Sequence, residues 1–141
     1  MTVSRARAAP PAVVLDTNVL VAAGFRPRSA SARVLAALRG GALRLVWDDD
    51  TRRESERIVR RIPPLSWDAV APLFRPEGRW PGPTDPGAFT VVADPDDRKF
   101  AALAAAAGAT LVTMDEHLLG ERARIAAEVL TPGELVARLD A

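Results

Sequence analysis

The chain has 141 residues, 48% of them hydrophobic, with a formal net charge of +1 and no cysteine. That composition suits one folded domain with its own core, and it excludes a disordered chain, a disulfide scaffold, thiolate chemistry and polyanion binding through bulk charge alone. No apolar run approaches the roughly 20 residues that cross a bilayer, so no membrane role is expected.

The first eleven residues read as a flexible arm. Arginines precede an apolar run there, as in a leader peptide, but Pro10-Pro11 splits the run and Asp16 stops it, so the expected location is a reducing cytoplasm. Val13 to Leu15 is a short apolar run, read as a buried parallel strand ending at Asp16. Asn18 to Ala23 starts a helix, and Ser29 or Ser31 caps a second one that closes at Gly40-Gly41. Ala42 to Trp47 is the second predicted strand. Asp48 then caps a helix running to Ile62, stopped by Pro63-Pro64. A shorter helical piece runs from Ser66 to about Phe74. Arg75 to Ala88 holds four prolines and three glycines and reads as a loop.

Phe89 to Val92 is the third predicted strand, and Asp94-Pro95 opens an alanine-rich helix closed by Gly108. Thr110 to Thr113 forms a fourth strand and Ile125 to Leu130 contains a fifth. Thr131-Pro132-Gly133-Glu134 is a capping box that starts the last helix. Alternating helices and short buried strands predict an α/β domain over residues 12–141, a three-layer α/β/α sandwich around a parallel sheet of about five strands. In such folds ligands sit at the carboxyl ends of the strands. Asp16 and Asp115 both fall on that edge.

Four stretches carry a carboxylate where a structural role does not fully account for it. Asp16, in LDTN, directly follows three apolar residues, whereas a cap needs no carboxylate there. Glu54 lies on a helical stripe with Ile58 and Ile62, and its alternative role is an ion pair with Arg57. In ADPDDRKF, Asp94 has the position of a cap, while Asp97 leads the stripe Phe100, Ala101 and Ala104 and points to the core side of its helix. Asp115, in VTMDEH, follows the fourth strand two places after Thr113, and it is also placed to cap a short turn. His117 is the only histidine and reads as a surface residue.

Converging carboxylates repel one another. Two unit charges about 6 Å apart do so by roughly 3 kcal/mol at an effective dielectric near 20, so a shared site requires protons or cations. With no cysteine and one histidine, the donors are all oxygen, which favours Mg²⁺ or Mn²⁺ over zinc. Such ions on phosphate esters activate water and stabilise the entering and leaving oxygens. The constellation therefore points to metal-assisted hydrolysis of phosphodiesters.

The order LDTN, a glutamate in the helix after the second strand, DPDDRKFAALA and VTMDEHLL is similar to PIN-domain ribonucleases, especially the toxin components of bacterial toxin–antitoxin pairs. The resemblance spans about residues 12–140. It implies a Mg²⁺- or Mn²⁺-dependent endoribonuclease using one or two ions. Asp16, Glu54, Asp97 and Asp115 would be catalytic. Asp16, Asp97 and Asp115 would hold the metal, with Asn18, Thr113 and Asp94 in support. It also implies an RNA substrate and a cognate antitoxin protein, with a homodimer as a further expectation. Arg26, Arg28, Arg33, Arg53 and Arg57 are candidates for contacts to the RNA backbone, because the arginine fork suits phosphate.

Two alternatives stand beside this reading. One is a catalytically silent RNA- or protein-binding relative of the same fold, which the four filled acidic positions disfavour. The other is a haloacid-dehalogenase-like phosphatase, which wants a second aspartate where Asn18 stands and a later lysine, while the only lysine is Lys99.

Overall fold

The computed structural model describes residues 9–141. Most of the expected arm, residues 1–8, lies outside them. Four strands form one parallel sheet in the order β2-β1-β3-β4: β1 (Ala12–Leu15), β2 (Arg44–Leu45), β3 (Thr110–Val112) and β4 (Val129–Leu130). The chain steps outward from β1 to β2, then returns past β1 to β3. That reversal opens a crevice at the carboxyl ends of β1 and β3, the usual place for a ligand in an open parallel sheet.

Helices cover both faces, as the sequence predicts. On one face lie α1 (Thr17–Phe25), α2 (Ala30–Gly40), α3 (Asp49–Arg60), α4 (Trp67–Val70) and α7 (Pro132–Asp140). They pack on Val13, Leu15 and Val112 through Val19, Val34, Leu35, Val59 and Leu135. On the other face, α5 (Arg98–Ala107) and α6 (Glu116–Gly120) pack on Val14 and Leu111 through Phe100, Ala101, Leu103 and Leu118. Alternate residues of β1 thus feed opposite layers, which is why its sequence is apolar without interruption. Local signals close several elements where expected. Ser29, and not Ser31, caps α2, and Thr131 and Glu134 form the predicted capping box of α7. Gly41 and Gly108 end α2 and α5 in the left-handed conformation that favours glycine.

The sheet has four strands and not about five, because Phe89–Val92 is no strand. A 3₁₀ turn at Pro86–Ala88 enters it and Asp94-Pro95 follows at once. Val92 is buried against α5, its amide donates to the Phe89 carbonyl, and its own carbonyl accepts from Arg98 Nε at 2.8 Å. A run of four apolar residues hides the same surface as a turn or as a strand, so the pattern alone does not decide between them. The second strand is also shorter than predicted, reduced to Arg44–Leu45.

The Pro/Gly-rich stretch after residue 75 is ordered along Trp47. Trp47 donates from Nε1 to the Arg75 carbonyl at 2.8 Å and from its amide to the Gly78 carbonyl at 3.1 Å. Its own carbonyl accepts from the Trp80 amide at 2.7 Å, and Trp47 and Arg79 make an isolated parallel bridge. The loop therefore prolongs the sheet edge beyond β2. A β-carbon at Gly78 would collide with the Leu45 carbonyl oxygen. Gly78→Ala should lose about 2 kcal/mol or more in urea unfolding, since the obstacle is backbone. Gly87→Ala, whose β-carbon meets only Asp85 Oδ1 at 3.5 Å, should stay within about 0.5 kcal/mol.

Candidate functional site

A cleft of about 260 Å³ opens at the carboxyl edge of β1 and β3, lined by Asp16, Asn18, Glu54, Ile58, Asp97, Phe100 and Asp115 among others. All four acidic residues singled out in the sequence border it. Asp16 follows β1 and lies level with Thr113, because Leu15 pairs with Val112. Its amide donates to the Val112 carbonyl at 2.9 Å. The Asp16 side chain makes no full cap bond to α1, although the Thr17 and Asn18 amides lie close enough to favour its charge weakly.

Thr113 is wholly buried and its Oγ1 donates to Asp16 Oδ2 at 2.7 Å. The same oxygen accepts from the Asp115 amide at 3.0 Å, so one hydroxyl fixes both acidic positions. Burial, opposed by the Thr113 hydrogen bond and reinforced by the charge of Asp115, pushes the Asp16 carboxyl above the usual carboxylate range. Asp115 caps α6 as anticipated: Oδ1 accepts from the amides of His117 at 2.8 Å and Leu118 at 3.3 Å. Oδ2 receives no hydrogen bond among the described residues. Asn18 Oδ1 accepts from the Met114 amide at 3.2 Å, which ties α1 to the turn after β3. His117 is exposed, as expected.

Asp97 sits differently from its predicted place in the first turn of a helix begun at Asp94. The chain first makes a 3₁₀ turn, Pro95–Asp97, which Asp94 caps by accepting from the Asp96 amide at 2.9 Å. Asp97 then precedes α5 and makes no cap bond. Among the described residues nothing hydrogen-bonds its carboxylate. Burial first, then the charges of Asp16, Asp94, Asp115 and Asp96, push it up to about 7.

Glu54 closes the α3 side of the cleft, with a side chain only 10% exposed. Both the ion pair and the cleft position anticipated for it are present. Its Oε1 accepts from Arg57 Nη2 at 2.9 Å and from Lys99 Nζ at 3.3 Å. Burial works against its charge, but Arg57 and Lys99 outweigh burial and hold the carboxyl below its usual range. Glu56 pairs instead with Arg60 at 2.7 Å. The buried line of α3 is Thr51, Ser55 and Val59, not the predicted stripe of Glu54, Ile58 and Ile62. Glu54 borders that line and so reaches the cleft wall.

Sequence reasoning missed two contacts. Thr17 Oγ1 and Ser55 Oγ form a buried hydrogen bond of 2.8 Å between the residues that follow Asp16 and Glu54. Lys99 was noted only as the sole lysine; its spacing of two from Asp97 was the available signal. Of the arginine candidates, only Arg57 touches an acid of the cleft. Arg53 pairs with Asp50 at 2.9 Å and Arg33 with Asp140 at 3.0 Å, while Arg26 and Arg28 are exposed.

A sequence profile of the PIN domain matches residues 12–117, a span that takes in all four acids. The chain belongs to the PIN-domain family. This PIN domain is similar in fold to a chain of the structure of FitAB bound to an IR36 DNA fragment, with a TM-score of 0.54 and 20% identity over 85% of this chain and 94% of that one. It is similar also to PAE2754 from Pyrobaculum aerophilum, with a TM-score of 0.57 and 18% identity over 94% of this chain and 90% of that one. No curated protein matches it. The family replaces the phosphatase alternative, and Lys99 accordingly pairs with Glu54 and not with the aspartate after β1.

The donor chemistry of this PIN-domain cleft suits a hard divalent cation. Among the described residues no three His, Cys, Asp or Glu side chains stand together as a ready ligand set. A cation held by one or two carboxylates and completed by water fits, which is the common binding mode of Mg²⁺. Asp16, Asp97 and Asp115 are the carboxylates from which that one or two would be drawn. Without a cation, Asp97 titrates in the folded state above its ordinary value of 3.8. The folded protein then holds this proton more tightly than the unfolded one, so the contribution of Asp97 to stability is greatest below about pH 4 and is lost as pH rises towards 7. In EDTA the melting temperature should decline from about pH 5 to pH 8, and Asp97→Asn should flatten that decline. A parent profile as flat as the variant's would contradict this.

Proposed function

We propose that the cleft is the active site of a divalent-metal-dependent endoribonuclease that hydrolyses RNA phosphodiesters, acting as the toxin of a toxin–antitoxin pair. The observation that carries this reading is the unpartnered Asp97 carboxylate, half-buried in one cleft with Asp16 and Asp115. Their mutual repulsion is relieved by a cation, and the PIN-domain family supplies the hydrolytic context. When bound, Mg²⁺ or Mn²⁺ would activate water and stabilise charge on the phosphate oxygens.

The residues of the chain do the positioning. Thr113 directs one Asp16 oxygen inward and, through the Asp115 amide, sets the start of α6. Asp115 engages its own helix with one oxygen and leaves the other for a ligand. Glu54, kept ionised by Arg57 and Lys99, adds a carboxylate at the opposite wall and assists directly or through water. A protein antitoxin is the proposed partner. FitAB was solved bound to a DNA fragment, which makes DNA a necessary control.

Cleavage of single-stranded RNA in Mn²⁺ should be abolished by EDTA and fall at least about a hundredfold in Asp97→Asn, since even outer-shell changes at metal sites cost 10–100-fold. Gel assays with RNA and DNA of one sequence check both points. Full activity in EDTA or in the variant defeats the mechanism, and inactivity of the parent on both substrates favours the catalytically silent alternative.

A further inference from the structure

From the pairing at Glu54 we infer that Lys99 is a substrate-binding residue, which leaves Glu54 to hold a phosphate of the nucleic acid in the cleft. The inference rests on the nuclease reading above and gives Lys99 a role beyond its pairing with Glu54.

Lys99 and Arg57 converge on a single oxygen, Glu54 Oε1, from two different helices. The Arg57 bond is 2.9 Å and lies within α3, at the i,i+3 spacing that a helix enforces. The Lys99 contact is longer, 3.3 Å, and crosses from α5. Glu54 therefore keeps a charge partner when Lys99 leaves. Lys99 can leave because its ammonium is a point charge on a flexible stem and its side chain, 26% exposed, keeps a path to solvent. Lys99 is not itself in the lining of the cleft; it reaches the wall through its ammonium, which lies 3.3 Å from Oε1 of the lining residue Glu54.

The charge pattern supplies the reason for such a residue. Asp16, Glu54, Asp97 and Asp115 confront a phosphodiester with negative groups, and a phosphate entering among them needs cations from the protein as well as from any metal. Among the candidate arginines, Arg33 and Arg53 are engaged by Asp140 and Asp50. Arg26 and Arg28 are exposed, and Arg57 is held to Glu54 by its own helix; Lys99, reaching the cleft wall from α5, is the one placed to exchange Glu54 for another anion. In the absence of substrate its contact with Glu54 parks the charge and keeps the ammonium at the wall.

The test measures binding of a short fluorescent single-stranded RNA in Ca²⁺ at several salt concentrations, with intact RNA verified on gels. A direct phosphate contact contributes about 0.7 to the slope of log affinity against log salt for a single strand. Lys99→Gln should lower the slope by about that amount and weaken binding roughly five- to tenfold, and Lys99→Arg should restore both. The melting temperature of Lys99→Gln should stay close to the parent's, because Arg57 still pairs Glu54. Glu54→Gln should leave the slope at the parent's value, since it frees Lys99 without removing it. A parental slope in Lys99→Gln overturns the inference, as does an equal loss of slope in Glu54→Gln, which would make Lys99 only a brace for Glu54. If the parent cleaves RNA in Mn²⁺ while Lys99→Gln keeps its slope, the inference alone fails. If the parent neither binds nor cleaves RNA, both readings fail together.

Discussion

One hydrogen bond, from the buried Thr113 hydroxyl to Asp16, joins the ends of the two central strands. Around it the protein keeps a carboxylate only 5% exposed, in an interior that is otherwise apolar apart from a few hydroxyls. Burying such a group is costly unless it is hydrogen-bonded. The parallel register of β1 and β3 makes that bond available, because it brings the residues after Leu15 and Val112 level with each other. The same hydroxyl accepts from the Asp115 amide, so the register of the sheet also fixes where α6 starts.

The second constraint is repulsion, met differently on the two sides of the cleft. On the α3 side, Glu54 is neutralised by Arg57 and Lys99 and its charge is stabilised. On the other side, Asp16 after β1 and Asp97 before α5 have no basic partner among the described residues, and their carboxyls are both pushed upward. An asymmetry of this kind separates a wall that carries its own counter-charges from a floor that awaits one. The buried Thr17–Ser55 hydrogen bond holds wall and floor in register, since its two residues directly follow Asp16 and Glu54.

Much of this was legible beforehand. The elements flanking the site follow from short-range signals: an apolar triplet before Asp16, Asp94-Pro95 before α5, and glycine after α5. All four carboxylates border one cleft because each sits immediately after a strand or on a helix beside the sheet's carboxyl edge. Short apolar runs were less legible. Phe89–Val92 has a strand's composition, yet flanking prolines and the Arg98 bond to the Val92 carbonyl keep it as turns. The inward line of α3 differs from the apolar stripe because it is two hydroxyls and a valine: Thr51 pairs with Asp48 in the capping box and Ser55 with Thr17 across to α1, and such residues escape a hydrophobic pattern.

The sequence by itself determined the acidic set, the lack of cysteine beside a single histidine, and the α/β alternation that places aspartates at strand ends. These are properties of residue type and of spacing along the chain. Only the tertiary structure decided which cations meet which acids: Lys99 reaches Glu54 across 45 positions of sequence, and Thr113 reaches Asp16 across 97. Partners so far apart are chosen by strand register and helix packing, and a local pattern carries no record of either.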